Sequence, residues 1–346
     1  MSTHHSVSKG LFRSILLAAI ILAATSAASA SQPDLRQQID SLTTATSLDR
    51  AGVQPWHMRL AFDLFDLKGN PQESGTVEEW WAAPDRARIV ITSPSFNETL
   101  PGTPVTNGRE AYLVHLLLQE TVHPMFKVSN PGSVIPTVVS QTFGQIPLSC
   151  TTIRMNSDDT EPRKYCTDPR TGDLRLLFTD GIRSDALNEI SPALNAQVGM
   201  RHTIAYMGQV AIKGHVESIE RFDPGLSNLT LGPVTPSQDG LTQPRLLTRI
   251  SPIYPSRARE SDQSGFAVLR YHILPNGRVS PIDIVASTGS AFVDASTDAV
   301  RRWRYNPAKR NGAPLECDST LTVIFSPPGS NQGSFNVNLN EQIFPE

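Results

Sequence analysis

The sequence is poor in reactive groups and in strong charge. Only three cysteines occur in 346 residues, and none are spaced C-x-x-C, so metal-ribbon and thioredoxin-type redox chemistry have no basis. Charged residues make up 18%, the formal net charge is −3, and no long Lys/Arg run exists. A phosphate backbone would find little to neutralise it, so nucleic acid is not an expected partner. The G-x-S-x-G elbow, the P-loop, H-E-x-x-H and G-x-G-x-x-G are all absent, and the expectation is a protein that is not an enzyme and needs no cofactor. Metal sites are not expected either. His57, His115, His123, His202, His215 and His272 are isolated in sequence, and the acidic run 155–161 lacks the glycine and terminal glutamate of a calcium loop. Glu78 and Glu79 adjoin on a strand and point oppositely, so they do not form a carboxylate pair. Proline is the exception to scarcity, with 27 residues, scattered almost entirely singly and without a collagen period.

What is present begins with an address. Lys9 and Arg13 precede the apolar run 15–24, and Ala28-Ser29-Ala30 has the A-x-A form of a signal-peptidase site. Residues 1–30 are therefore expected to be a signal peptide, cleaved after Ala30, which places the mature chain in the periplasm. Residues 14–33 carry no charge, however, and a stretch of that length just spans a bilayer. An uncleaved inner-membrane tether is the alternative. Cys150 and Cys166 bracket a polar, hairpin-like stretch and are the expected disulfide. Cys317 is left over, and buried thiols at all three positions are the alternative.

Leu35, Ile39 and Leu42 follow Pro33-Asp34 at helical spacing and predict a helix over 34–47. The period then changes to two: Met58, Leu60, Phe62 and Leu64 alternate as in a half-buried strand. Residues 66–74 are turn chemistry, and strands are expected at 76–82 and 86–92, with Trp80 and Trp81 on opposite faces. Val134–Phe143 is expected as a short helix. Strands follow at 148–155, 174–179, 200–206 and 210–222. Many antiparallel strands with few helices predict an α+β domain over 34–223, its sheet curved like a half-barrel. Residues 224–247 mix Pro, Gly, Ser, Gln and Asn without period and are the expected linker, short enough to act as a hinge.

The C-terminal region, 248–327, is expected to contain a short helix at Pro255, a strand at 265–273, an Asn276-Gly277 hairpin turn and a return strand at 279–287. Phe292, Ala295, Ala299, Val300 and Trp303 then mark an amphipathic helix, and Ser319–Phe325 a last strand. The order is α-β-β-α-β with a three-stranded antiparallel sheet, followed by a polar tail at 328–346.

Residues 251–326 resemble the TonB C-terminal domain. The residues that carry the likeness are Pro252, Tyr254-Pro255, Ala258, Gly265, Val268, Asn276-Gly277-Arg278-Val279, Ser287, Asp294, Ala299-Val300, Trp303, Tyr305, Pro307-Ala308, Asn311-Gly312, Pro314 and Phe325. The resemblance implies that an extended segment of a TonB-dependent outer-membrane receptor, or of another envelope protein, adds as a strand to the sheet. By that analogy the receiving edge is Ser319, Thr320, Leu321, Thr322, Val323, Ile324 and Phe325, with Tyr254 and Pro255 nearby. Most motif residues, Trp303 and Gly277 among them, are better explained by folding than by contact with a partner. TonB-like ends also exchange strands between chains, so the sequence leaves the oligomeric state open.

The likeness to energy transducers is incomplete. Those carry an uncleaved membrane helix with a Ser/His signature and a long Pro-rich linker. Here Ser14 is present, residues 15–33 contain no histidine, and the linker is short. Residues 34–223 resemble LolA/LolB-like lipoprotein-carrier domains, which implies a concave face able to hold a lipid or acyl chain. The stretch 75–86, with Trp80-Trp81 and Pro84-Asp85, resembles exported proteins that couple such a domain to a TonB-like end. Arg301, Arg302, Arg304, Lys309 and Arg310 form a basic patch expected to be a solvated surface. Asn97-x-Thr99 and Asn228-x-Thr230 match glycosylation sequons, a pattern that also arises by chance.

Overall fold

The computed structural model describes residues 35–103, 105–125, 137–143, 146–153, 163–179, 182–225, 228–234, 240–328 and 336–345. The expected signal peptide, 1–30, and residues 154–162 between the two paired cysteines lie outside the described residues, as do 235–239 of the expected linker and 329–335 of the expected tail.

Helix α1 (Leu35–Thr46) leads into four strands: β1 (Trp56–Phe65), β2 (Pro71–Ala83), β3 (Arg86–Thr92) and β4 (Asn97–Leu100). Helix α2 (Arg109–Val122) follows, then β5 (Thr137–Phe143), β6 (Ile146–Ile153), β7 (Arg163–Thr167), β8 (Leu174–Thr179), β9 (Arg183–Ala193), β10 (Ala196–Tyr206) and β11 (Gln209–Arg221). They form one eleven-stranded sheet in the order β4-β3-β2-β1-β11-β10-β9-β8-β7-β6-β5, antiparallel throughout. The alternation read in β1 is real: Trp56, Met58, Leu60, Phe62 and Leu64 are all buried, each stabilising the fold by roughly 1.5–3 kcal/mol relative to exposure. Asp66 shapes the turn to β2 by accepting from the amides of Lys68 and Asn70, both at 2.8 Å. Trp81 faces inward and stacks on Trp56 with ring centroids 6.0 Å apart, while Trp80 stacks on His57 on the outer face at 4.5 Å.

The segment 137–143 is a strand, not the expected helix, and pairs with β6 from Thr137↔Thr152 to Phe143↔Ile146. Thr137, Val138 and Val139 are β-branched, and residues of that kind fit a pleated ladder better than a helix.

In the C-terminal region, β12 (Leu241–Thr242) and β13 (Arg245–Thr248) precede α3 (Ser256–Glu260), β14 (Gly265–Ile273), β15 (Val279–Ser287) and α4 (Ser290–Val300). Then come β16 (Arg304–Asn306), β17 (Lys309–Arg310), β18 (Ala313–Pro314), β19 (Cys317–Ser326) and β20 (Asn336–Pro345). The expected α-β-β-α-β order is present, with β15-β14-β19 as its three antiparallel strands, and β20 joins them as a fourth beside β19. The 328–346 segment is thus not simply a polar tail. Val337 packs against the C-terminal core, and the ladder with β19 runs without a register shift from Ser326↔Asn336 to Cys317↔Pro345.

On one face of this sheet lies an aromatic core of Tyr254, Tyr271, Phe292, Trp303, Tyr305 and Phe325. Trp303 Nε1 donates to the carbonyl of Ile250 at 2.8 Å. The opposite face packs on α2: Phe266, Val268, Val285 and Ala286 share one core cluster with Leu113, Leu117, Leu60 and Ile212. Helix α2 lies close on β11 because Gly214 has no side chain; a Cβ there would sit 2.7 Å from Leu117 Cδ1. Within the linker, Gly232 exchanges backbone hydrogen bonds with Ala87, 2.9 and 3.0 Å. Downstream of it, β12 and β13 pair with β17 and β16.

Candidate functional site

The strand expected to receive a partner, β19, is covered along its outer edge. β20 pairs with it from Cys317↔Pro345 to Ser326↔Asn336. Ser319, Leu321, Val323 and Phe325 are fully buried toward α3 and α4, while Thr320 and Thr322 are buried on the opposite face, with Ile324 half-buried there. Tyr254 is 7% exposed. Its hydroxyl donates to the carbonyl of Gln263 at 2.7 Å, and its ring meets Phe292 and Phe325 edge-on at 6.5 and 5.5 Å. Pro255 occupies the N-cap of α3. The structure therefore brings Tyr254 and Phe325 together, within the core rather than on an open rim.

Charge is concentrated where the sequence did not point. Arg183 Nη2 donates to Glu120 Oε1 at 3.0 Å. His202 Nδ1 lies 2.9 Å from Asp185 Oδ2, both groups fully enclosed. Burial dominates at Glu120 and, against the pull of Arg183, raises its pKa to about 7. At His202 burial opposes the imidazolium, but the charge and hydrogen bond of Asp185 with the charge of Glu120 outweigh it and hold the pKa above the ordinary value. On β14 and β19, Arg270 Nη2 pairs with Asp318 Oδ2, and His272 Nδ1 lies 2.7 Å from Glu316 Oε1 and 3.0 Å from Asp318 Oδ1.

His115 and His123, eight residues apart, bind separate carboxylates: Glu98 at 3.1 Å and Asp49 at 2.9 Å. Burial works against ionisation of Glu98, yet the hydrogen bond and charge of His115 and the Thr106 amide hold its pKa below the usual range. Glu78 and Glu79 point to opposite faces: Glu78 meets Arg59 at 2.7 Å outside, and Glu79 is buried. Among the described residues no group of three or more His, Cys, Asp or Glu is placed to hold a metal, and no helix is long and apolar enough to cross a membrane. Arg301 and Arg302 are exposed; Arg304, Lys309 and Arg310 are half-buried, and Arg304 Nη1 turns back to the carbonyls of Arg301 and Trp303 at 3.2 and 2.6 Å. Cys150 and Cys166 are directly opposite on β6 and β7 and form the expected disulfide.

The helix-backed antiparallel sheet of the C-terminal region carries an Asn276-Gly277 turn between β14 and β15 and the Trp303-x-Tyr305 segment after α4. Residues 250–327 match the family described as Gram-negative bacterial TonB protein C-terminal. The chain is 37% identical over 78 residues to protein TonB of Escherichia coli, covering 22% of this chain and 31% of that protein. It is 39% identical over 61 residues to protein tonB2 of Pseudomonas aeruginosa, covering 17% and 23%. The match thus spans about a third or less of the length of these curated relatives. A LolA superfamily protein from Nitrosomonas europaea aligns with 54% of this chain and 94% of its own at 7% identity and a TM-score of 0.33.

Proposed function

We propose that the protein is an exported, non-enzymatic envelope adaptor whose C-terminal region takes up an extended segment of a TonB-dependent outer-membrane receptor, or of another envelope protein, by strand addition along β19. The observation that carries this reading is the ladder between β19 and β20, in which ten consecutive positions of β19 are in register with an extended segment. In such a mode main-chain hydrogen bonds give affinity and side-chain contacts give selectivity. A partner segment takes the place of β20. Competition by β20 lowers the apparent affinity by the fraction of chains whose edge is open.

The test is calorimetric titration of TonB-box peptides into the full chain and into a chain ending at Pro328, with amide shifts followed on Ser319–Phe325. Saturable binding that tightens on shortening supports the reading. No heat and no shift in either chain overturns it.

A second reading rests on the uncharged stretch 14–33: an uncleaved tether would make the protein an inner-membrane energy transducer. The intact mass of protein from the envelope fraction decides between them. A mass beginning at Ser31 supports the released periplasmic form, and one retaining Ile15–Ala24 supports the tethered form.

A further inference from the structure

A cleft of about 600 Å³ lies where α2, the end of the large sheet and the C-terminal sheet meet. Its lining comes from both halves of the chain. Helix α2 contributes Tyr112, Leu116 and Glu120, β8 and β9 contribute Leu177 and Arg183, and β14 and β19 contribute Arg270 and Asp318. Pockets of this size at the junction of two packed units are common small-molecule sites.

The cleft has a built polar end. Arg270 is 5% exposed. One of its terminal nitrogens pairs with Asp318, while the other, Nη1, is buried and has no hydrogen-bond acceptor. The guanidinium lies 5.9 Å from the centre of the Tyr112 ring, so its position is fixed by packing and not by solvent. A buried donor without an acceptor is unfavourable, and a guanidinium offers a rigid fork suited to carboxylate or phosphate oxygens. Two more guanidinium groups, of Arg163 and Arg183, line the same cleft. The carboxyl facing Arg183, that of Glu120, is held back from ionising, because burial raises its pKa to about 7. Leu116, Leu177 and Met125 add apolar surface to a wall that also holds Asp49, His115, Gln119 and His123.

We propose that this cleft binds a small organic anion, a carboxylate or phosphate carried on a compact apolar body, with Arg270 Nη1 donating to the anionic oxygen. The site needs the two halves packed together, since neither supplies both the apolar wall and Arg270. It uses the side chains of Asp318 and Thr320 on one face of β19, not the main-chain edge of that strand, and does not depend on strand addition.

The test uses the purified protein and three probes in calorimetric titrations: phenyl phosphate, inorganic phosphate and phenyltrimethylammonium. Phenyl phosphate is expected to bind saturably, with inorganic phosphate and the cationic homologue weaker by roughly tenfold or more. Arg270→Gln is expected to weaken phenyl phosphate by roughly tenfold or more. Because that change also strips Asp318 of its partner, Thr179→Trp serves as a second variant; it fills the cleft without removing a charge. It should abolish phenyl phosphate binding and leave the affinity for TonB-box peptides unchanged. Competition by phosphatidylglycerol vesicles would assign the natural anion to a lipid headgroup, and failure to compete would assign it to a soluble compound; either result supports the site. Absence of binding, equal binding of the cation, or full binding in Thr179→Trp overturns it.

Discussion

Arg109 Nε donates to the backbone carbonyl of Val285 at 2.7 Å, while its Nη2 donates to the carbonyl of Phe65 at 2.8 Å. One side chain at the start of α2 thus fastens the end of β1 to the middle of β15. Replacing it with methionine keeps much of the packing and leaves both carbonyls without this donor. Each buried polar group left unsatisfied costs about 1–3 kcal/mol. Arg109→Met is expected to lower the unfolding free energy by roughly 2–4 kcal/mol, read as a shifted urea midpoint. Because the halves share a core, tryptophan fluorescence and far-ultraviolet circular dichroism of the wild-type protein should report one coincident transition.

The buried acids set a direction for pH. Burial foremost, then the charge of Asp49, raises the pKa of Glu79 from 4.5 to about 8, and Glu120 is raised to about 7. Both hold their protons longer in the folded chain than in the unfolded one. Their contribution is therefore full below pH 4.5 and is lost as pH climbs through about 7 to about 8. His202, raised in the folded state, acts in the same direction, its stabilising charge lost as pH rises through its folded pKa. Glu98, lowered in the fold, acts oppositely, losing its contribution as pH falls below the ordinary carboxylate range. Thermal midpoints should fall from about pH 6 to about pH 9. Glu79→Gln should flatten that slope and raise stability at the alkaline end by an amount on the order of a few kcal/mol. A steeper slope in the variant would contradict the assignment.

Cys150 and Cys166 close a loop with a sequence separation of 16. Constraint of the unfolded chain by a loop of that size is worth about 3 kcal/mol. The double change Cys150→Ala with Cys166→Ala should lower stability by about that amount, measured in urea without reductant. Cys317, buried on β19, should resist alkylation in the native protein and react once denaturant is added.

Gly277 has φ +74°, and a Cβ there would stand 2.0 Å from the carbonyl oxygen of Tyr305. Its own carbonyl accepts from the amide of Tyr305 at 2.9 Å. Gly277→Ala should therefore cost more than about 2 kcal/mol, whereas Asn276→Ala should cost less than about 1 kcal/mol. Thermal denaturation of the two variants tests the difference.

Much of this architecture was legible where one face meets water. The period-two alternation of Met58 to Leu64 and the Asn276-Gly277 turn both carry local signals, and both are where they were expected. Helix α2 carried none. Leu113, Val114, Leu116, Leu117, Leu118 and Val122 are all buried, because the helix has the large sheet on one side and the C-terminal sheet on the other. A helix buried on two sides keeps only a narrow open stripe, here Tyr112, His115 and Gln119, which periodicity detects poorly. For the same reason Arg270 and Glu120, central to the cleft, read in sequence only as charges interrupting apolar runs. β20 escaped notice because Asn336, Asn338 and Asn340 are weak strand formers and are held by a ladder visible only in three dimensions.

Every one of the nine positions of β14 is buried, which bears on how such a chain can diverge. A strand with one wet face can drift at half its positions. Here Phe266 and Val268 answer to α2 while Ala267, Leu269 and Tyr271 answer to the aromatic core, so a change on either face must be matched by a neighbour from a distant part of the chain. The C-terminal region is consequently a poor candidate for transplantation into another protein. Cut free, it would carry an apolar sheet face into solvent and invite aggregation, and a host that accepted it would have to bring its own substitute for α2.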